Sequence, residues 1–565
     1  MIPLRRASYC LLTGAGFLLG LEPFGFHAAA LVAPLGAIAL SRSLRRSSYA
    51  RVLGWSLAFA CAVQVIALPW IMIGLMNIAR LSAGAALPIY LLHIPIYSLR
   101  FPFFFLGAHF VRRQTRIPML YVYPALALAG DLWIFQNFPL YWGSLTAGNE
   151  TLRQVAALLG GPGAAVVVFA EASLLYLALV FLKRRRLLSN RRFVRRILPG
   201  AALSVCVVLG AALYGSLRAD PARSATGELT LGLFQSNPGP AREELRNDPE
   251  YAGRALNLFF NLGLKAIVDG GGRLDLLVAP ESAVPFFGTQ PAPDHNGLYS
   301  PTFRGVVAFL ARYGDVNILY NELTPATDAT HYYNTASLFD RHGQRTSYRK
   351  QKLVPFGEYI PFEAQMPFLR SVFPEVSRYV PASAQAPLHF DLKSVRETRS
   401  FQPPDESALR MLEDPEEILA AWPERVRAAR TVYLAPLVCY EGLFPGLVRD
   451  LFDDPDKQPA LLVNLTNDSW FGERIENHQH QDQARFRAIE TGRFLVRANL
   501  SGLSTVFDAF GRPIAPPMAV GEVGVRLFRI PLVQDYRTGY LLWGDAPLYL
   551  WLSILTLIAW IRRRS

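Results

Sequence analysis

Apolar residues are concentrated at the two ends of the chain. Runs able to cross a bilayer, about 20 residues with few charges, occur near 8–21, 26–41, 52–75, 83–111, 117–137, 161–182, 197–216 and 539–561. The turn Glu22-Pro23-Phe24-Gly25 divides the first two, and Arg100 and Pro102 predict a break in the fourth. Between 217 and 538 the pattern changes. Short apolar stretches at Leu229–Gln235, Leu274–Pro280, Val316–Tyr320, Val432–Cys439 and Leu461–Leu465 read as buried strands. Helical spacing at Tyr251–Val268, Pro301–Arg312 and Gln479–Thr491 lies between some of them, and that alternation predicts a layered α/β domain. Residues 384–430 are rich in Pro, Glu and Arg and read as a surface insertion with a helix over Glu406–Ala421. The predicted organisation is a helical membrane segment over 1–216 with about seven spans, an external domain over 217–538, and a last span with a basic tail over 539–565.

Charge sets the orientation of these runs. Of 565 residues 51% are hydrophobic and 18% charged, against about 25% charged in a typical soluble chain. The net charge is +13, which in principle suits nucleic acid or anionic lipid. Position decides between them. Basic clusters at Arg5-Arg6, Arg42 to Arg51, Arg112 to Arg116, Lys183 to Arg196 and Arg562 to Arg564 each border an apolar run. With eight spans starting inside, all of these clusters fall inside, as the positive-inside rule requires, and 217–538 falls outside. The charge is therefore read as topology, with no nucleic-acid partner. A cleavable leader is the competing reading of residues 1–25. A retained helix is preferred, because removing it would invert the charge pattern.

Candidate chemistry sits in the central domain. Cys10, Cys61 and Cys206 lie in predicted spans, and Cys439 is the only cysteine outside them, so no disulfide forms within the domain. Cys439 ends an apolar strand just before a helical stretch, where amide groups can lower a thiol pKa and hold an oxyanion. Glu281 follows another strand end, where an unpaired carboxylate is costly to bury. Lys350 lies in a basic stretch. Each has a bland reading: a core cysteine, a solvated loop acid, a solvated lysine. Together they would let a carboxylate take the thiol proton and an ammonium stabilise the oxyanion. No His or Cys pair has metal-ligand spacing, so no metal or other cofactor is expected; His478 and His480 read as polar helix-start residues.

The strings around these residues resemble the nitrilase (carbon–nitrogen hydrolase) superfamily, whose Glu, Lys and Cys occur in this chain order. With the flanking spans they resemble the apolipoprotein N-acyltransferase family. Pro280-Glu281-Ser282-Ala283-Val284-Pro285 matches the acid motif. Tyr348-Arg349-Lys350-Gln351-Lys352-Leu353-Val354-Pro355-Phe356-Gly357-Glu358 matches the lysine motif throughout and selects Lys350 over Lys352. Cys439-Tyr440-Glu441, Asn467 to Gly472, and Gln479-His480 followed by Ala484-Arg485 and Arg487 to Arg493 match the remaining motifs. Departures mark a divergent member. No Trp follows Gln235-Ser236-Asn237 before Glu281, and Gly130 to Ile134 and Asn137 to Trp142 replace the family's usual strings in the membrane half.

The resemblance implies a polytopic α-helical membrane protein of about eight spans carrying an external αββα sandwich. It implies a bacterial inner (plasma) membrane enzyme, monomeric, with its catalytic domain facing the periplasm. A phospholipid would be acyl donor and a diacylated apolipoprotein the acceptor, through a ping-pong thioester mechanism that completes lipoprotein maturation. Glu281 would be general base, Lys350 would stabilise the oxyanion together with the Tyr440 amide, and Cys439 would be the nucleophile. Glu358, Tyr440 and Glu441 would support them. Candidate lipid-route residues are Phe138, Tyr141, Trp142, Phe286, Trp470 and Phe471. The same trio on a membrane base also fits a tethered amidase or hydrolase, or a catalytically dead scaffold.

Overall fold

The computed structural model describes residues 2–78, 81–183, 191–239, 248–284, 299–327, 331–374, 376–393, 430–472 and 475–562. The expected helix over 406–421 and Phe286 lie outside the described residues.

The central domain is two stacked sheets. In the first, β1 (Glu228–Gln235), β2 (Leu276–Val278) and β3 (Asn317–Pro325) run parallel. The antiparallel strands β4 (Tyr332–Phe339) and β5 (Arg345–Arg349) extend it on one side. The second holds β6 (Leu388–Leu392), β7 (Arg430–Val438), β8 (Pro459–Thr466), β9 (Phe494–Asn499) and β10 (Thr505–Phe507) in the order β10-β9-β8-β7-β6. The last strand, β11 (Gly524–Pro531), returns to pair antiparallel with β1.

Strand periodicity explains the layering. Leu229, Leu231 and Leu233 point into the space between the sheets, where they meet Leu434, Leu461 and Val463. The opposite face of the first sheet, through Phe234 and Leu277, packs against helices Pro249–Gly270 and Tyr299–Gly314. Helix Ile475–Thr491 covers the second sheet through Ala484 and Ala488. The result is a layered α/β domain, as the alternation predicts, in the αββα order that the resemblance implies.

Two expectations change. Residues 388–392, expected within a strandless insertion, form the edge strand β6 because Leu388, Phe390 and Leu392 alternate into the inter-sheet core. The β4–β5 hairpin, unrecognised in the sequence, has no clear alternation because Thr335 to Leu338 are buried on both faces.

The membrane spans are seen in part. Three described helices are long and apolar enough to cross a membrane: Tyr49–Ala67, Ala165–Lys183 and Ile197–Leu217. Ala83–Tyr97 and Arg100–Gln114 form a fourth candidate, bent by 41°. The 52–75 run is interrupted after Ala67 and resumes as the short helix Trp70–Ile78, and Met119–Trp133 and Ala546–Ile561, at 15 and 16 residues, fall short of a full span. Among the described residues the helices themselves thus present three full-length spans, or four with the bent pair.

A buried ion pair organises the helical segment. Arg100 Nη1 lies 2.7 Å from Asp131 Oδ1, and Asp131 Oδ2 accepts the Trp142 amide at 2.7 Å. Arg100 also donates to the Leu140 carbonyl. These contacts fix the 134–142 loop beneath the central domain.

Candidate functional site

Glu281, Lys350 and Cys439 come from three different strands and meet at the carboxyl ends of those strands, where α/β folds place their sites. Glu281 lies three residues beyond β2, while Lys350 directly follows β5 and Cys439 directly follows β7. All three side chains are buried.

Lys350 is an ammonium between two carboxylates. Its Nζ donates to Glu358 Oε1 at 2.8 Å and lies 3.5 Å from Glu281 Oε1. Burial opposes its charge, but Glu358 and Glu281 outweigh that and hold it above the ordinary lysine range. Asn334 of β4 bridges the two acids, donating to Glu281 at 2.8 Å and to Glu358 at 3.1 Å. Two acids share one ammonium, and Glu281 is more readily protonated than an ordinary carboxylate. Burial raises its pKa, Lys350 pulls it back, and Glu358 raises it again.

Cys439 adopts a left-handed backbone, φ 50°, which is uncommon for a residue with a side chain. Its neighbours hold the turn. Glu441 Oε2 accepts the Val438 amide at 2.8 Å, and Asn464 Nδ2 donates to the Cys439 carbonyl at 3.2 Å. Glu441 Oε1 also accepts the Gln351 amide at 2.6 Å, tying the cysteine turn to the lysine loop. Glu441 thus acts by locking two loops together. The expected lowering of the thiol pKa does not occur. Burial and the Glu281 charge push it well above the ordinary cysteine value, and Lys350 only partly offsets them. At neutral pH Cys439 is a thiol within hydrogen-bonding reach of Glu281, an arrangement that calls for a general base rather than a resting thiolate.

A cavity opens from Cys439 toward the helical segment. One wall is apolar: Leu68, Trp70, Phe138, Leu140, Leu443 and Phe471. Phe138 meets the Tyr440 ring at 5.7 Å and the Phe471 ring at 5.4 Å, and Tyr440 donates its hydroxyl to the Asn137 carbonyl. Gly74 is required here: a Cβ on it would come within 2.6 Å of the Phe471 ring. The route candidates therefore divide. Phe138 and Phe471 line the cavity, and Trp470 packs beside Gly357 of the lysine loop. Trp142 is instead buried among Phe17, Phe101, Phe104 and Phe169, and Tyr141, also buried, is not among the lining residues. Both belong to the packing of the helical segment, because the Asp131 bond to the Trp142 amide draws this stretch inward.

The other wall is polar, formed by Glu476, Gln479, His480 and Gln483 on successive turns of helix Ile475–Thr491. Behind it lies a charged network that sequence reading missed. His480 Nδ1 lies 2.9 Å from Asp468 and 3.4 Å from Glu476; Asp468 pairs with Arg497 at 2.5 Å and accepts from Asn499 at 2.6 Å. Burial works against charge on Asp468, but Arg497 and His480 hold it well below the usual carboxylate range. His480, opposed by burial and favoured by Asp468, rises to about 9. His480 is therefore no simple helix-start residue. Asp468, Glu476 and His480 also gather ligand-type atoms within 4.8 Å of one another. Arg497 and protonated His480 already supply the positive charge that a metal would bring. The signal for this network was the density of polar residues in a segment that the fold buries: such groups must be paired inside.

Residues 259–537 match the carbon-nitrogen hydrolase family. An amidase from Nesterenkonia sp. of known structure is 19% identical, with a TM-score of 0.36, over 58% of this chain and 97% of its own. Apolipoprotein N-acyltransferase from Haemophilus influenzae is 25% identical over 561 residues, 96% of this chain and 93% of its own. Apolipoprotein N-acyltransferase 1 from Leptospira interrogans is 30% identical over 578 residues, spanning 100% of this chain and 98% of its own length. With that identity sustained from end to end, the chain belongs to the apolipoprotein N-acyltransferase family.

Proposed function

We propose that this protein is an acyltransferase that moves an acyl chain from a membrane phospholipid to the α-amine of S-diacylglyceryl-cysteine at the N-terminus of an apolipoprotein. One observation carries the reading: the Cys439 cavity has an apolar wall contributed by Leu68, Trp70, Phe138 and Leu140 of the helical segment. Each CH₂ withdrawn from a bilayer into water costs about 0.8 kcal/mol, so a long-chain donor needs an apolar path from the membrane to the sulfur. A soluble amide substrate gives no reason for such a wall, which favours the acyltransferase over a hydrolase.

In this reading Cys439 Sγ attacks the donor ester carbonyl while its proton passes to Glu281. Lys350 Nζ and the Tyr440 amide stabilise the tetrahedral oxyanion. The C–O bond breaks, Glu281 returns the proton to the departing lysophospholipid, and the acyl group stays on sulfur as a thioester. The acceptor amine then attacks that thioester. Glu358 keeps Lys350 in place, and Glu441 holds the cysteine turn against the lysine loop.

The topology proposed is eight crossings, with broken and short helices completing those the long helices begin. The domain over 217–538 faces the periplasm from the bacterial inner membrane, and the chain acts as a monomer. The test is mass spectrometry of lipoprotein N-termini from cells with and without the protein. N-acylation that depends on it, and is lost with Cys439→Ala, is the expected result; N-termini acylated equally in its absence would overturn the reading.

A further inference from the structure

Proton balance in the second half-reaction leaves one proton without a destination. This rests on the acyl transfer proposed above. The acceptor α-amine has a pKa near 8, so at neutral pH it arrives mainly as an ammonium and must lose a proton before its lone pair can attack. As the N–C bond forms and the C–S bond breaks, the nitrogen loses a second proton, which Glu281 takes and returns to the Cys439 sulfur. Two protons leave the nitrogen and the thiol regains one. The remaining proton needs an acceptor outside Glu281, Lys350 and Cys439.

We infer that Glu476 is that acceptor, taking the proton from the incoming ammonium on the polar wall of the Cys439 cavity. Glu476 lines the same cavity as Cys439 and is 3% exposed. Its Oε2 has no hydrogen-bond partner among the described residues, and neither has His480 Nε2 beside it; buried atoms of this kind are ordinarily satisfied. The charged groups facing it are His480 on its own helix, Asp468 after β8, and Arg497 on β9. Burial and Asp468 raise Glu476 to about 7, with His480 and Arg497 opposing, so near neutrality it can both accept a proton and release it between turnovers. A carboxylate at this point also attracts the ammonium, whereas the apolar wall across the cavity suits the acyl chain. Glu476 lies outside the motifs through which the sequence resembles its family, which end at Gly472 and resume at Gln479.

The experiment separates the half-reactions in full-length protein in detergent. Thioester formation is followed with labelled phospholipid, and transfer with pre-acylated enzyme and a diacylglyceryl-cysteine peptide, from pH 6 to pH 9.5. Glu476→Gln is expected to slow transfer by roughly 10²-fold near pH 6.5, within the range for a lost general base. The deficit should close toward pH 9, where the amine arrives neutral, and thioester formation should change far less. Hydroxylamine, already neutral at pH 7, should take the acyl group from the variant and the wild type at similar rates. Equal deficits at every pH, or the same deficit with hydroxylamine, would overturn the assignment and make Glu476 structural. A wild-type pH profile in the variant would overturn it as well. Failure of the wild type to form the thioester or to acylate the peptide would instead sink the acyltransferase reading itself.

Discussion

Trp70 donates its indole N–H to Gln479 Oε1 at 2.9 Å, joining a short helix of the membrane segment to a polar helix of the central domain. Gln479 turns its amide back to the Ala67 carbonyl at 2.9 Å, so one side chain closes the seam on both sides. Both residues line the cavity that reaches Cys439. The proposed acyl route and the junction between the two parts of the protein are therefore one surface. Gln479→Leu would leave a buried donor and a buried acceptor unpaired, at about 1–3 kcal/mol each. A lowered midpoint of thermal unfolding in detergent is the expected result, and an unchanged midpoint would show that the seam is held elsewhere.

The nucleophile assignment predicts that Cys439→Ser inserts and folds but forms no acyl-enzyme. The site is built to deprotonate a thiol by one buried carboxylate, and an alcohol is a far weaker acid. Cys10→Ser, Cys61→Ser and Cys206→Ser should keep acylation. Labelled phospholipid and intact-protein mass spectrometry report the thioester directly; normal turnover by Cys439→Ser would remove the mechanism.

Lys350→Met should slow thioester formation and its transfer alike, by roughly 10²–10³-fold each, because an oxyanion forms in both steps. Single-turnover measurement of each step is the check. A defect confined to the first step would recast Lys350 as a donor-binding group.

Glu281 predicts the acidic limb of the pH profile. Burial and Glu358 raise its pKa against the pull of Lys350. Thioester formation should therefore fall on acidification through a group titrating above the ordinary carboxylate range. Asn334→Leu removes an N–H that stabilises the charged form, which raises the pKa further and moves the limb to higher pH. A limb unmoved by Asn334→Leu would mean that another group titrates there.

Phe138→Ser and Phe471→Ser should impair a long-chain phospholipid donor much more than a short-chain soluble thioester, since both rings line the apolar wall. Gly74→Ala should act in the same direction by pressing on the Phe471 ring. Trp142→Ser, by contrast, opens the core of the helical segment and should lower stability and activity with both donors. Equal losses for both donors in the phenylalanine variants would end the proposed lipid path.

Adding a chelator should leave both half-reactions unchanged, because Arg497 and His480 already neutralise Asp468. Loss of activity restored by a divalent cation would reassign the Asp468, Glu476 and His480 cluster.

Local patterns determined much of this protein. Continuous apolar runs marked the membrane segment, and short strand-like runs alternating with amphipathic helices marked the layered domain. Glu281 and Cys439 were legible because each follows an apolar strand, and Lys350 because it lies in a contiguous eleven-residue motif, so neighbouring residues alone carry the signal. The network of Asp468, Glu476, His480 and Arg497, and the bridging Asn334, were decided only by the tertiary structure. Helix Ile475–Thr491 shows why. Read alone it is a polar helix with no reason to be buried. In the fold it is enclosed between the second sheet and the membrane helices, and its side chains find partners far along the chain: Trp70 for Gln479, Ser144 for Gln483, Gly161 for Glu490. Hydrophobic burial leaves a periodic trace in sequence. A buried hydrogen bond depends on which distant group arrives opposite, and that is set only when the chain has folded.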